Sequence, residues 1–241
     1  MTHTATPGAV QLRGFTRSFR GKKVLDELRL DIPAGQFVAL LGESGSGKTT
    51  VLRALAGLQA DAQTRGIASA QGNVSVLFQD SRLLPWLSVI DNLTLGLDAA
   101  RTRPAAEQML CDVGLDDKAQ VWPNTLSGGQ LQRAALARSL LREPHVLLAD
   151  EPFGALDALT RMRMHGLLRR LVERIKPTVV LVTHDVDESL LLADRILVLK
   201  NGKIAQDYAV DLPHPRRPDH PVFMDLRATL LHSLGVETEF A

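Results

Sequence analysis

Apolar residues along this chain come in two rhythms. Short unbroken runs occur at QFVALLG (36–42), NVSVLFQ (73–79), HVLLAD (145–150) and TVVLVTH (178–184). Runs of that length, without polar alternation, predict strands of a parallel sheet covered on both faces. The first is followed at once by a helical pattern, KTTVLRALAGL. RILVLKNGKIAQDYAV (195–210) holds Asn201-Gly202 between two strand-like stretches, which predicts a hairpin. The N-terminal VQLRGFTRSFRGKKVLDELRLDI predicts antiparallel strands joined by a basic turn. From about Leu87 to Leu141 the rhythm turns helical, with PAAEQMLCDVGL as one amphipathic piece. An α/β core is therefore expected, preceded by an antiparallel β subdomain and interrupted by a helical insertion at about 87–141. Beyond the hairpin, the proline-rich LPHPRRPDHP predicts a surface crossing with Arg216 and Arg217 in solvent. VFMDLRATLLHSL then predicts a last helix.

Composition narrows the class. Hydrophobic residues at 45% and charged residues at 23% suit a folded globular chain. Lys and Arg number 28 against 27 Asp and Glu, a net charge of +1, so the basic excess of a nucleic-acid binder is missing. The single cysteine, Cys111, excludes an internal disulfide and fits a reducing compartment. Its place in MLCDVGL predicts a small buried apolar residue. MTHTATPGAV has neither the basic start nor the apolar core of a signal peptide. The longest apolar runs fall far short of the ~20 residues that span a bilayer. A soluble chain is expected, with any membrane span supplied by another.

The chemistry starts at Gly42-Glu43-Ser44-Gly45-Ser46-Gly47-Lys48-Thr49. This fits G-x-x-x-x-G-K-[ST] at every fixed position, between a predicted strand and a predicted helix. Glycines let the backbone wrap a phosphate with its N–H groups, and the helix start adds positive potential. Lys48 is placed for the β- and γ-phosphates, and the Thr49 hydroxyl for Mg²⁺. A carboxylate ending a neighbouring strand should complete the metal site, and VLLADE supplies Asp150. Glu151 comes next, placed to polarise an attacking water as a general base. Capping of a helix after Pro152 is the competing reading of that acidic pair.

A second glycine turn, LSGGQ at 126–130, raises the question of why one chain carries two phosphate seats. The P-loop, LSGGQ, VLLADEP, GALD and VTHD in this order resemble the nucleotide-binding subunits of ABC transporters, over about residues 10–210. The resemblance implies roles for the matching positions. Two copies would sit head to tail around two ATP molecules. Ser127, Gly128, Gly129 and Gln130 would then contact the ATP held by the other copy. Ser127 can also be read as the N-cap of QLQRAALARSLL. Gln79, in LFQD, resembles the glutamine that senses γ-phosphate and Mg²⁺; His184, in VTHD, resembles the switch histidine. Phe19, in SFRGKK, stands where the family stacks an aromatic on adenine, with Phe15 as the competing core residue. Thr50 joins the ATP set beside Thr49. Asp157, in GALD, resembles the aspartate at the dimer seam, although Ala155 departs from the frequent serine there.

The family holds importers, exporters and soluble machines. A single ATPase half, without a span, a coiled-coil arm or a zinc cluster, favours a bacterial importer. FQDSRLLPWLSVIDNLTLGL, EPFGALDALTR and VDLPHPRRP are similar to the group importing aliphatic sulfonates, nitrate and taurine, and within it to the aliphatic sulfonate importers. The resemblance implies a homodimer, ATP with Mg²⁺, integral membrane permease subunits and, indirectly, a periplasmic substrate-binding protein. It implies a peripheral place on the cytoplasmic face of the inner membrane, and no nucleic acid. Leu83, Leu84, Pro85 and Trp86 are apolar enough to line a groove for the permease, or else pack internally. The alternatives are an importer ATPase for nitrate, taurine or another small anion, or an ABC ATPase outside transport. Residues 211–241 are expected to form a C-terminal extension.

Overall fold

A computed structural model of the chain describes residues 7–58 and 63–236. The N-terminal stretch MTHTATPGAV lies largely outside the described residues. Strands β1 (Val10–Phe19) and β2 (Lys22–Ile32) form the expected antiparallel pair around Arg20-Gly21. The P-loop runs from β3 (Phe37–Leu41) into α1 (Lys48–Leu55). β4 (Gln63–Ala70) returns to pair antiparallel with β1, so the small sheet has the order β2-β1-β4. The hydrophobic pattern gives no hint of β4. Most of its residues are exposed, and QTRGIASA lacks large apolar positions in alternation.

The main sheet has the order β5-β6-β7-β3-β8-β9. β5 (Val74–Leu77), β6 (Val146–Asp150), β7 (Thr178–Val182) and β8 (Arg195–Lys200) run parallel with β3, and β9 (Lys203–Ala209) closes the expected hairpin. Both faces of the central strands are buried, and successive residues serve opposite cores. Ala39, Leu147, Leu181 and Ile196 face one cluster; Leu40, Leu148, Val180 and Leu197 face the other. This is why the runs read as continuously apolar. One cluster packs α1 and the small sheet against the main sheet.

The other cluster takes the remaining helices. Between β5 and β6 lie α2 (Val89–Thr94), α3 (Ala99–Asp112) and α4 (Gly128–Leu141). α5 (Ala158–Ile175) and α6 (Val186–Leu192) come after β6 and β7. α7 (Pro221–Ser233) seats Phe223 and Leu230, both fully buried, in the same cluster. Among the described residues no helix is long and apolar enough to cross a membrane.

Two expectations are corrected. Cys111 is exposed, because the buried stripe of α3 runs through Ala106, Met109 and Leu110 and leaves residue 111 off it. Arg217 is in solvent beside Asp219, but Arg216 is buried. The Arg216 guanidinium donates to Leu212 O at 3.0 Å, Leu190 O at 2.7 Å, Ala193 O at 2.5 Å and Val210 O at 3.3 Å. A proline-bound arginine pair reads as a wet face, yet one of the two supplies the planar donor fork that these carbonyls require.

Candidate nucleotide site

The loop after β3 is shaped by contacts that leave no room for side chains. A Cβ on Gly42 would lie 2.4 Å from Leu199 O, and one on Gly47 would lie 2.6 Å from Leu25 Cδ2. Gly47 also has φ +106°, as N-cap of α1. Glu43, Ser44 and Gly45 form an exposed turn, whereas Ser46 and Lys48 are buried. Lys48 Nζ donates to Gly42 O at 2.6 Å and to Glu43 O at 3.0 Å, curling back over its own loop. Burial pushes its pKa down, against the pull of the Glu151 and Asp150 carboxylates. Ser46 Oγ is buried without a hydrogen-bond partner. A buried cation held by backbone carbonyls, an unpartnered hydroxyl and a glycine cradle together fit a bound phosphate chain.

Thr49 Oγ1 donates to Asp150 Oδ1 at 3.0 Å, so the expected metal pair meets across the sheet. Burial raises the Asp150 carboxyl pKa, partly offset by the Thr49 hydrogen bond. That is an environment where a cation is welcome. Thr50 sits next to Thr49 on α1, half-buried.

Glu151 leaves β6 with φ +45°, a left-handed conformation that costs a non-glycine residue about 1 kcal/mol or more. Its N–H donates to Val182 O at 2.9 Å, which pins the turn to β7. The turn after β7 carries His184, whose Nδ1 lies 3.1 Å from Glu151 Oε2. Gln79 closes the same corner: its Nε2 lies 3.7 Å from where a Cβ on Gly154 would stand, and Glu151 Oε2 lies 4.0 Å from that point. Phe19 is half-buried at the end of β1, with the Arg17 guanidinium 5.3 Å from its ring centroid, while Phe15 is a core residue.

The second glycine turn lies elsewhere. Ser127 caps α4 in a reciprocal box: Gln130 N donates to Ser127 Oγ at 3.3 Å and Ser127 N to Gln130 Oε1 at 2.9 Å. Gly128 faces open space. Residues 127–130 and Asp157 line one open groove of about 810 Å³, with Thr160, Arg133 and Arg163. Asp157 is the N-cap of α5, accepting Thr160 N at 3.0 Å. No residue of the 42–49 loop lines this groove. In the segment after Gln79, Leu83 is buried while Trp86 is 66% exposed. The apolar stretch 83–86 thus splits between packing and surface.

The sequence patterns did not single out Thr183, Asp185, Glu188 or Arg161, which surround the His184 turn. A signal was present: D-x-x-E directly after His184 is a helix-capping pattern, and Asp185 Oδ1 does accept Glu188 N at 3.0 Å.

A glycine cradle around a buried lysine, with a threonine at the start of α1 paired to the aspartate that ends β6, defines a P-loop nucleoside triphosphatase. Likeness to known proteins narrows this further. The ABC transporter family matches residues 25–154. The aliphatic sulfonates import ATP-binding protein SsuB of Delftia acidovorans is 77% identical over 240 residues, covering 100% of each chain. A protein named aliphatic sulfonates import ATP-binding protein SsuB 1, from Paracoccus denitrificans, is 68% identical over 98% of each. Among solved structures, the dimeric bacterial ABC transporter cassette MJ0796 is 30% identical with a TM-score of 0.73, over 85% of this chain and 100% of that one. The same cassette in a post-hydrolysis state, bound to ADP and Pi, gives 29% and 0.70 over the same shares. The chain belongs to the ABC transporter family, as one of its ATPases.

Proposed function

We propose that this chain hydrolyses ATP to energise uptake of aliphatic sulfonates through membrane permease subunits. The observation that carries the reading is the 77% identity, end to end, with a protein named for aliphatic sulfonate import. Residues 10–210 form the ATPase domain and 211–241 an extension of it.

The chemistry is built from the residues of the nucleotide site. The N–H groups of residues 42–49 and Lys48 receive the phosphates, and Thr50 supports that loop from α1. Phe19 offers a ring face to the adenine. Thr49, Gln79 and Asp150 are the residues that would hold Mg²⁺, which supplies positive charge to the phosphate oxygens when bound. Glu151 accepts a proton from water as its oxygen attacks the γ-phosphorus and the bond to the β–γ bridging oxygen breaks. His184, within hydrogen-bond distance of Glu151, orients that water and the γ-phosphate. Ser127, Gly128, Gly129 and Gln130 reach the nucleotide of a second copy, with Asp157 at the seam, so ATP becomes part of a homodimer interface. Exposed Trp86 anchors the permease. The assembly works at the cytoplasmic face of the inner membrane, and an external binding protein delivers the sulfonate.

Growth of a deletion strain tests this, with alkanesulfonate, taurine or sulfate as the only sulfur source and nitrate tested separately as nitrogen source. Failure on alkanesulfonate alone, rescued by the wild-type gene but not by Glu151→Gln, is the expected result. Growth on alkanesulfonate in a strain with no redundant importer overturns the substrate assignment.

A further inference from the structure

The His184 turn is exposed, but it is anchored from below by residues that the hydrolysis scheme does not use. Thr183 is 2% exposed and Glu188 4%. The Thr183 hydroxyl donates to Glu188 Oε2. Thr183 Oγ1 in turn accepts the N–H of Asp185 at 3.0 Å. It thus bridges the two sides of His184, with Glu188 holding it in place. Asp185 Oδ2 receives Arg161 Nη1 at 3.2 Å, and Arg161 Nη2 donates to Leu156 O at 3.2 Å, within the 155–157 loop. The other Glu188 oxygen lies 3.3 Å from His165 Nε2, within ion-pair distance but misaligned for a hydrogen bond. The His165 ring stands edge-on to Phe153, two residues after Glu151, with centroids 5.0 Å apart.

A buried carboxylate is costly unless its partners repay the lost hydration. A helix cap needs no such group: Asp185 already caps α6 from a partly exposed position. What Glu188 adds is direction. With its oxygen fixed, the Thr183 hydroxyl can point only one way, and so can the Asp185 N–H that it accepts. His184, between them, is the residue whose ring meets Glu151.

We propose that Glu188 is a positioning residue for His184, acting through the Thr183 hydroxyl, and that Arg161 ties the same turn to the loop carrying Asp157. The inference rests on the proposed roles of His184 and Glu151. A displacement of reacting groups by about 1 Å costs on the order of 100-fold in rate, so a partly released ring should cost at least roughly tenfold.

The experiment measures kcat, ATP affinity and Tm on the purified full-length chain for Thr183→Val, Thr183→Ser, Glu188→Leu, the Thr183→Val/Glu188→Leu pair and His184→Ala. Thr183→Val and Glu188→Leu should each lower kcat roughly tenfold or more, with ATP affinity held within about twofold. Thr183→Ser, which keeps the hydroxyl, should restore kcat. Replacing both partners removes the buried carboxylate that Thr183→Val alone leaves unpaired, so the pair should regain Tm over Thr183→Val. Its kcat should stay low, which a merely structural role does not predict. The proposal is overturned if the single variants keep kcat within about twofold, or if kcat recovers together with Tm in the pair. Loss of activity in His184→Ala but not in Thr183→Val removes the positioning role alone; full activity in His184→Ala removes the underlying site reading and this inference with it.

Discussion

The two glycine turns, 42–49 and 127–130, each open a helix, yet their surroundings differ. The first is walled in. Leu199 O and Leu25 stand where side chains would go, and the buried Lys48 is folded back onto the Gly42 and Glu43 carbonyls of its loop. The second borders an open groove, with Gly128 unobstructed and Ser127 already engaged in capping α4. A phosphate at the first turn meets a lysine, backbone amides and a carboxylate pair from one chain. The second offers a helix start, with Arg133 and Arg163 lining the same open groove. The contrast fits the proposed division of labour, in which the first turn holds ATP and the second faces the ATP of another copy.

Three substitutions probe that division. Glu151→Gln should lower kcat by about 10²–10⁴-fold while ATP binding persists, and sizing chromatography should show an ATP-dependent dimer. A monomer at high protein and ATP concentrations would leave the second turn without its proposed ligand. Lys48→Ala should weaken ATP binding by roughly 10- to 100-fold, as a charged hydrogen-bonding partner is lost; calorimetry measures it. Ser127→Ala should cost about 1 kcal/mol of cap stability by denaturant unfolding. It should weaken the ATP-dependent dimer while leaving ATP affinity of the single chain unchanged. A fall in that affinity matching Lys48→Ala would erase the distinction between the turns.

The smallest effect concerns Asp150. Its raised pKa means that the folded chain holds the Asp150 proton more tightly than the unfolded chain does. That contribution is complete below the unfolded-state pKa and is lost as pH rises through the folded value. At neutral pH the charge is therefore a cost, and Asp150→Asn should raise the nucleotide-free Tm by roughly 2 °C while abolishing hydrolysis. The gain should disappear in acid. Scanning calorimetry at two pH values checks it.

The central sheet was legible because buried parallel strands leave uninterrupted apolar runs, and the 42–49 loop because each fixed position answers a steric or electrostatic demand. β4 was not, because an exposed strand pairing at the rim of a small sheet needs no apolar face. Cys111 and Arg216 show a different limit. Whether a side chain lies on the buried stripe of α3, or reaches carbonyls distant in sequence, depends on packing that local pattern does not encode. The His184 surroundings were half legible: Asp185 and Glu188 announce a helix start, but Glu188 is buried beneath it and holds the threonine rather than merely closing a cap.

The Arg216 contacts bear on how that turn can move. α6 is held at its start by Asp185, itself tied to α5, and its last carbonyls, Leu190 O and Ala193 O, are held by a guanidinium from beyond the hairpin. A helix secured at both ends behaves as a lever, not a hinge. The C-terminal segment is thereby joined to the His184 turn through α6, and a chain cut after Val210 would lose that tether along with the core residues Phe223 and Leu230.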